Sequence, residues 1–343
     1  MNAQPHSTVT SPAPLFSIVV LSWNSLGYLK DCIASVGRQT NRSFELICVD
    51  NGSSDGSREW LASTDLGPLV NAPVRKVLLG VNTGFAAGMN IGMRMSQGTW
   101  VIPLNVDIVL ADDFLEQAAR VIEQHPGYGS IGPLVYKWDN GPTDTVDTTG
   151  IWLTPHLSAT TDVTATAGGD AFGPAGCCPL FHRDALVRTQ IGPRAAGAEH
   201  RFFYDELYFA YGEDVDLFLR LQLRGFRCLF SPAVKAWHAH SATQAGVAWH
   251  QKDYQTLMRV PANAFFTLVK DFPLGMLVVR IPRLLAMPVV MSLLLLFRAP
   301  HKAWCPLVAY VRICRHLVRT VALRWSIQRR RSVSSRAIKG FFR

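Results

Sequence analysis

Four short strand-like runs, each followed by a segment with helical spacing, constrain this 343-residue chain more than any other feature. They are residues 16–21 (FSIVVL), 44–49 (FELICV), 74–79 (VRKVLL) and 100–104 (WVIPL). A short, continuous, β-branched run such as the first is the pattern of a strand buried on both faces. Between the runs, Leu29, Cys32, Ile33 and Val36 recur at helical spacing, residues 57–62 suit a helix start, and residues 84–96 and 112–123 read as helices. Strand and helix alternating at this rhythm predict an α/β fold, a mostly parallel sheet with helices on both faces. Ligands of such sheets bind beyond the carboxyl ends of the strands. Further on, residues 204–223 form a dense acidic, aromatic and apolar stretch with Gly225 as its stop, and residues 227–230 read as another strand. Residues 139–175, rich in Thr, Gly, Asp and Pro, read as a long functional loop region.

The charge is divided along the chain. The formal net charge of +9 hides 14 Lys+Arg and no Asp or Glu in residues 272–343, leaving 20 Lys+Arg against 25 Asp+Glu, a net of −5, in residues 1–271. A mildly acidic body with a basic end argues against nucleic acid as partner. Seven cysteines at scattered spacings, with no CxxC pair, exclude zinc-finger and thioredoxin-like readings and suit reduced thiols in a cytosolic setting. Residues 1–14 lack a basic n-region and an apolar h-region and read as a flexible leader, which keeps the body on the cytoplasmic side.

Composition shifts again after Asp271. Residues 276–297 are mostly apolar but carry Arg280, Arg283, Pro282 and Pro288. A central arginine costs about 2.5–3.5 kcal/mol on insertion scales, and a spanning helix needs about 20 apolar residues. The expectation is an in-plane or re-entrant segment. Residues 308–325, with Arg312, Arg315 and Arg319 at helical spacing among Val311, Leu317, Val318 and Val321, read as a second basic amphipathic helix for an anionic leaflet. A cap packed on the body is the other reading, and it leaves fourteen positive charges unopposed.

Polar residues cluster at the predicted strand ends. Ser22, Trp23 and Asn24 follow the first strand, where an indole can stack on a planar base or simply fill a core. Asp50, Asn51 and Ser53 follow the second, where carboxylate and amide can accept from base N–H or ribose hydroxyls, or merely form a turn and N-cap. Residues 82–90 (NTGFAAGMN), including Asn82 and Gly84, open a helix with small residues that would let a phosphate approach backbone N–H groups. Neither a P-loop nor GxGxxG is present. Asn105 and Asp107 end the fourth strand on the same side, suited to a hard cation. Glu213, Asp214 and Asp216, three carboxylates in four residues, suit a catalytic base, a metal site or first-turn capping. His238 could share a cation with Asp107.

In order and spacing these segments resemble the family 2 glycosyltransferases of GT-A fold, specifically bacterial rhamnosyltransferase-like members. The likeness covers residues 15–245 and is carried by VVLSWN at 19–24, VDNGSSDGS at 49–57, NTGFAAGMN at 82–90, LNVD at 104–107 and YDELYFAYGEDVDLFLR at 204–220. The resemblance implies an inverting transfer from a nucleotide-diphospho-sugar, with Mg²⁺ or Mn²⁺. It implies that Ser22, Trp23, Asn24, Asp50, Asn51, Ser53, Asn82, Gly84 and Asn105 bind the nucleotide. It further implies that Asp107 and His238 hold the metal, and that Asp214, beside Glu213, is the base. Trp23 stands where the family has tyrosine, and Val106 where it has proline. The QxxRW motif of processive relatives is missing, because Val321 occupies the glutamine position before Arg324-Trp325, so one sugar is added at a time.

The expected organisation is a leader (1–14), a catalytic domain (15–271) with a nucleotide-sugar half (15–138) and an acceptor half (139–271), and a membrane-associating tail (272–343). The acceptor, a glycan or lipid-linked one, would dock near residues 139–200, and dTDP-rhamnose is the first donor to try. The place of work is the cytoplasmic face of the inner or plasma membrane. A sugar nucleotidyltransferase needs a Gly-rich, Arg-containing loop after strand one, which residues 22–26 (SWNSL) do not provide. A non-catalytic nucleotide-sugar-binding membrane protein would more readily lack Asp107, Asp214 or His238, and all three are present.

Overall fold

The computed structural model describes residues 13–154, 159–192, 202–240 and 248–342; most of the predicted leader lies outside them. The first half follows the predicted rhythm. Strands β1 (Phe16–Ser22), β2 (Phe44–Asp50), β3 (Val74–Leu78) and β4 (Trp100–Asn105) pair in parallel in the order β3-β2-β1-β4. Helices α1 (Leu26–Gly37), α2 (Ser57–Ser63), α3 (Leu66–Val70) and α4 (Phe85–Met95) connect them. Strand order reverses between β1 and β4, so the crevice of this sheet opens beyond Ser22 and Asn105.

All seven residues of β1 and of β2 are buried, as a two-sided cover requires. Alternate side chains serve opposite faces. Val19, Leu21, Ile47 and Val49 meet Met89 and Met93 of α4, while Ile18, Val20, Leu46 and Cys48 share a core with Leu29 and Ile33 of α1. The glycines inside α4 have a packing reason. A Cβ on Gly92 would lie 2.3 Å from a Val19 methyl and one on Gly88 2.7 Å from a Leu21 methyl, so their absence lets the helix lie close on the sheet.

The second half continues with β5 (Ile108–Leu110), α5 (Phe114–Gln124), β6 (Ser130–Trp138), β7 (Pro142–Thr148), β8 (Gly150–Leu153), β9 (Ala159–Asp162), β10 (Gly169–Ala171), β11 (Leu180–His182), α6 (Arg183–Thr189), α7 (Glu213–Leu223) and β12 (Cys228–His238). β11 lies antiparallel between β4 and β6, β12 runs parallel to β6, and β5 pairs antiparallel with β12, setting Ile108 opposite His238. The stretch 139–175 is thus largely strands rather than a loop. β7 is an edge strand on β6 whose residues are mostly exposed or half-buried, so no apolar alternation marks it in the sequence.

Helices α8 (Tyr254–Asp271), α9 (Leu274–Arg298), α10 (Val308–Arg329) and α11 (Ser335–Lys339) complete the described chain. α10 packs against α8 and buries Ala309, Ile313, Thr320, Leu323 and Ile327. Three of its arginines are engaged by the body, so the helix is packed on it as the cap reading has it, while Arg315 stays exposed. Arg319 pairs with the buried Asp205 at 2.7 Å, Arg324 donates to the carbonyls of Val269 and Phe272 at 2.6 and 2.8 Å, and Arg312 donates to that of Leu207 at 3.0 Å. α9 is one continuous helix of 25 residues despite Pro282 and Pro288. It is the one helix among the described residues long and apolar enough to cross a membrane, and it exposes Val278, Val279, Val290, Leu293, Leu294, Leu296 and Phe297.

Candidate active site

β1 and β2 end side by side, with Ser22 opposite Asp50. The next residue, Trp23, is 51% exposed, a large apolar ring at the mouth of the crevice rather than in the core. Asp50 is fully buried. One of its oxygens accepts from the N–H groups of Gly52 and Ser53 at 3.1 and 3.2 Å and lies 3.5 Å from Arg58; the other is buried without a partner. Ser22 Oγ is likewise buried and unpartnered. Asn24 adopts φ +48°, and its N–H donates to Ser53 Oγ at 3.0 Å while its Oδ1 accepts from the Ser54 N–H at 2.7 Å. The loops after the two strands are thereby laced together under Trp23.

Asn51 and Asn82 serve a different end. Asn51 donates to Asn82 Oδ1 at 3.1 Å and to the Gly84 carbonyl at 3.2 Å, and accepts from the N–H and hydroxyl of Thr83, both at 2.9 Å. Asn82 Oδ1 also accepts from the Gly84 N–H at 2.8 Å, and the Ala86 N–H donates to the Phe209 carbonyl at 3.1 Å. The N–H groups at 83, 84 and 86 are therefore engaged within the protein. In this arrangement residues 82–86 clasp the end of β2 to the loop that carries Phe209. Gly84 (φ +89°) is required there, because a Cβ would stand 2.6 Å from the Phe209 ring.

At the other side of the crevice, the Asn105 N–H donates to the Cys177 carbonyl at 2.8 Å, and Asn105 Oδ1 is buried with no partner. Asp107 is 4% exposed. The β5–β12 pairing brings His238 to it: His238 Nε2 lies 3.4 Å from an Asp107 carboxylate oxygen, buried and without a hydrogen bond. A carboxylate and an imidazole nitrogen facing each other in this way can hold a divalent cation. Burial alone would lower the His238 imidazole, but with no cation beside them the Asp107 and Asp147 carboxylates outweigh it and push it up to about 10, so a cation at Nε2 would take the place of a proton shared with Asp107. Asp147, which sequence reasoning missed, lies 3.2 Å from His238 Nδ1 and 2.7 Å from His240 Nε2. It stands near the end of the exposed strand β7, in a run of Thr and Asp that offers no distinguishing signal.

The three carboxylates at the start of α7 separate into two roles. Asp216 is fully buried and salt-bridged to Arg220 and Lys270 at 2.8 and 2.5 Å; those two cations hold it below the usual carboxylate range against the effect of burial. Among the described residues, no cation pairs with Glu213 or Asp214. Burial, then the adjacent Asp214 charge, pushes Glu213 up to about 8, and burial with the Asp216 charge raises Asp214. One Asp214 oxygen accepts from the Val215 N–H at 2.8 Å; the other lies where a Cβ on Gly176 would come within 2.6 Å. Residue 176 is followed by Cys177, whose carbonyl holds Asn105. One short segment thus joins the acidic helix to the end of β4.

The loop leading into α7 is strained, with Phe209 and Tyr211 at φ +62° and +71°. Such backbone persists only where surroundings fix it. Here Asn263 of α8 donates to the carbonyls of Tyr208, Ala210 and Tyr211 at 3.2, 3.0 and 2.8 Å. Asn263 and Lys270 lie outside every motif, and Asp205, although inside the 204–220 segment, was given no role, because partners this distant in sequence leave no local pattern. Residues 193–201, part of the stretch assigned to the acceptor, lie outside the described residues.

A sequence model described as Glycosyl transferase family 2 matches residues 17–189, half of the chain. A glycosyltransferase of Bacillus subtilis (strain 168) named for teichuronic acid biosynthesis is 29% identical over 40% of this chain and 53% of its own length. A PGL/p-HBAD biosynthesis glycosyltransferase of Mycobacterium bovis (strain BCG / Pasteur 1173P2) is 32% identical over 37% of this chain and 50% of its own. The chain thus spans about half the length of these curated relatives. In three dimensions it is similar to GalNAc-T7 solved with UDP, GalNAc and Mn²⁺, at a TM-score of 0.58 and 15% identity, over 76% of this chain and 48% of that one, a likeness of fold. With the strand order, the motifs and the family match in agreement, the chain belongs to glycosyl transferase family 2 and has the α/β GT-A architecture expected of it.

Proposed function

We propose that this protein is an inverting, metal-dependent, non-processive glycosyltransferase that moves one sugar from a nucleotide-diphospho-sugar to a hydroxyl of a glycan or lipid-linked acceptor in cell-envelope synthesis. The observation that carries this reading is the junction at residues 176–177. There the Asp214 carboxylate and the Asn105 backbone meet one segment, so the proposed base and the proposed donor end of the crevice are built as one unit.

The proposed roles follow the geometry. Trp23, at the mouth, stacks on the donor's base, and the unpartnered oxygen of Asp50 accepts from the base or ribose. Asn24, Ser53, Asn51, Asn82 and Gly84 hold the loops that present them. Asp214 takes the acceptor proton as the new bond forms at the anomeric carbon. Its raised pKa brings it closer to working pH, and Glu213, protonated at neutral pH, adds no second negative charge beside it. One carboxylate suffices, because inversion needs no covalent intermediate. Mg²⁺ or Mn²⁺ held by Asp107 and His238 would supply charge neutralisation for the departing diphosphate. The orphaned His238 Nε2 and Asn105 Oδ1 fit such a cation. The solved neighbour that holds UDP and Mn²⁺ supports the donor class and a divalent metal.

In this reading residues 15–271 form the catalytic unit, and the exposed apolar face of α9, with the exposed Arg283, Arg298 and Arg315, rests on an anionic leaflet on the cytoplasmic side. dTDP-rhamnose is the first donor to screen, on the resemblance in motifs. The test is diphosphate release across a panel of nucleotide-sugars with Mg²⁺ or Mn²⁺. Turnover of one donor, lost in Asp214→Asn, is the expected result; no turnover of any donor, or an unchanged Asp214→Asn rate, refutes the proposal.

A further inference from the structure

One carboxylate in the crevice has no part in the transfer proposed above. Asp147 stands on β7, which pairs with β6, and its carboxylate reaches His238 of β12 directly. Its two oxygens are divided: one lies 3.2 Å from His238 Nδ1 and the other 2.7 Å from His240 Nε2. The two imidazole rings lie 3.9 Å apart between centroids and are tilted by 33°. His240 reaches this position through φ +54°, a conformation that side-chain-bearing residues rarely adopt. The opposite edge of the His238 ring, at Nε2, is buried, makes no hydrogen bond and faces Asp107 at 3.4 Å.

We infer that Asp147 is a positioning residue: it fixes the His238 ring so that Nδ1 carries the proton and Nε2 is turned to Asp107, with His240 bracing the carboxylate. This rests on the proposed cation site at Asp107 and His238. Metal-ligating imidazoles characteristically donate their second N–H to a carboxylate, which sets the tautomer and raises the basicity of the ligating nitrogen. The arrangement competes with a direct site, since ligand atoms of Asp147, His238 and His240 lie within 4.8 Å of one another. Two observations favour the positioning role. The Asp147–His240 contact of 2.7 Å has the length of a charge-assisted hydrogen bond, so both carboxylate oxygens already serve imidazoles. A His238 Nδ1 bound to metal could not also donate to Asp147, and it would leave Nε2 orphaned in the interior.

The test is Mn²⁺ binding to the full-length protein without substrate, read by loss of the free-ion electron paramagnetic resonance signal. Asp147→Ala is expected to weaken Mn²⁺ about 10–100-fold, while Asp147→Asn, which keeps an acceptor for Nδ1–H, restores most of the affinity. His240→Ala is expected to cost no more than about threefold, since it leaves the Asp147–His238 contact in place. Thermal melts of the isosteric Asn variant establish that the fold is intact. Wild-type affinity in Asp147→Ala, with Asp107→Asn still abolishing binding, overturns the inference alone. A loss in His240→Ala as large as that in Asp147→Ala overturns it in favour of the direct site. Undiminished binding in Asp107→Asn overturns the cation site itself, and the positioning role with it.

Discussion

Gly176→Ala tests the proposed base without touching its carboxyl group. A Cβ at 176 would lie 2.6 Å from Asp214 Oδ2 and 3.3 Å from Asp214 Cβ and Cγ, where ordinary contact begins at 3.4 Å. The carboxylate oxygen must therefore move by about 0.8 Å, against the Val215 N–H that holds its partner oxygen at 2.8 Å. A misplacement of about 1 Å in a reacting group can cost about 100-fold in rate. We expect kcat to fall about 10–100-fold while KM for the donor changes by less than about threefold, since Trp23 and Asp50 lie on other strands. Stability should fall by only about 1–3 kcal/mol, the usual penalty of local overpacking. The assay is diphosphate release at saturating and limiting donor, with Asp214→Asn as the floor and circular dichroism as the folding control. A Gly176→Ala enzyme with kcat within twofold of wild type would refute the placement of the base.

Further perturbations separate the parts of the site. Trp23→Ala should raise the donor KM by about tenfold or more, the worth of a lost stacking contact of about 1–3 kcal/mol, with kcat little changed. Lys270→Met removes the cation between Asp205 and Asp216 and should cost about 3–5 kcal/mol in urea denaturation; a loss under about 1 kcal/mol would mean that Arg220 and Arg319 suffice. Because Glu213 keeps its proton up to about 8 when folded, against 4.5 ordinarily, the unfolded chain releases that proton first. Wild-type stability should therefore fall as pH rises from about 4.5 to about 8 and level beyond, a slope that thermal melts of Glu213→Gln should lack. Leu294→Glu with Phe297→Glu should abolish flotation with anionic liposomes and leave soluble-substrate turnover intact; undiminished flotation would place the membrane contact elsewhere.

Much of this was legible in the sequence, and the boundary is physical. β1, β2 and β4 announce themselves because two-sided burial forces largely apolar runs, and residues 16–22 and 44–50 are buried throughout, whereas β3, at the sheet edge, is half-buried and keeps Arg75 and Lys76. Asp50, Asn105 and His238 end strands and Trp23 and Asp107 follow within two residues of one, where the apolar runs in the sequence stop. Asn51 and Asn82 have the polarity of ligand-binding residues, but their amides hold loops; composition does not distinguish an amide facing a ligand from one facing a backbone. Asp147 was missed because an exposed edge strand carries no periodic pattern. The arginines of α10 misled because helical spacing places charges on a face without saying whether that face meets water, lipid or Asp205.

Asp205 and Asp216 lie buried in the second half of the chain, and their cations arrive late: Lys270 closes α8, and Arg319 lies more than a hundred residues after Asp205. On the ribosome, a chain that has emerged only as far as α7 holds two carboxylates that cannot be buried, with Arg220 alone to meet them. The sheet of the first half can form early, but the acidic helix cannot settle until the final helices have been made. The charges of Asp205 and Asp216 would then be fully met only late in synthesis, once Lys270 and Arg319 have both emerged.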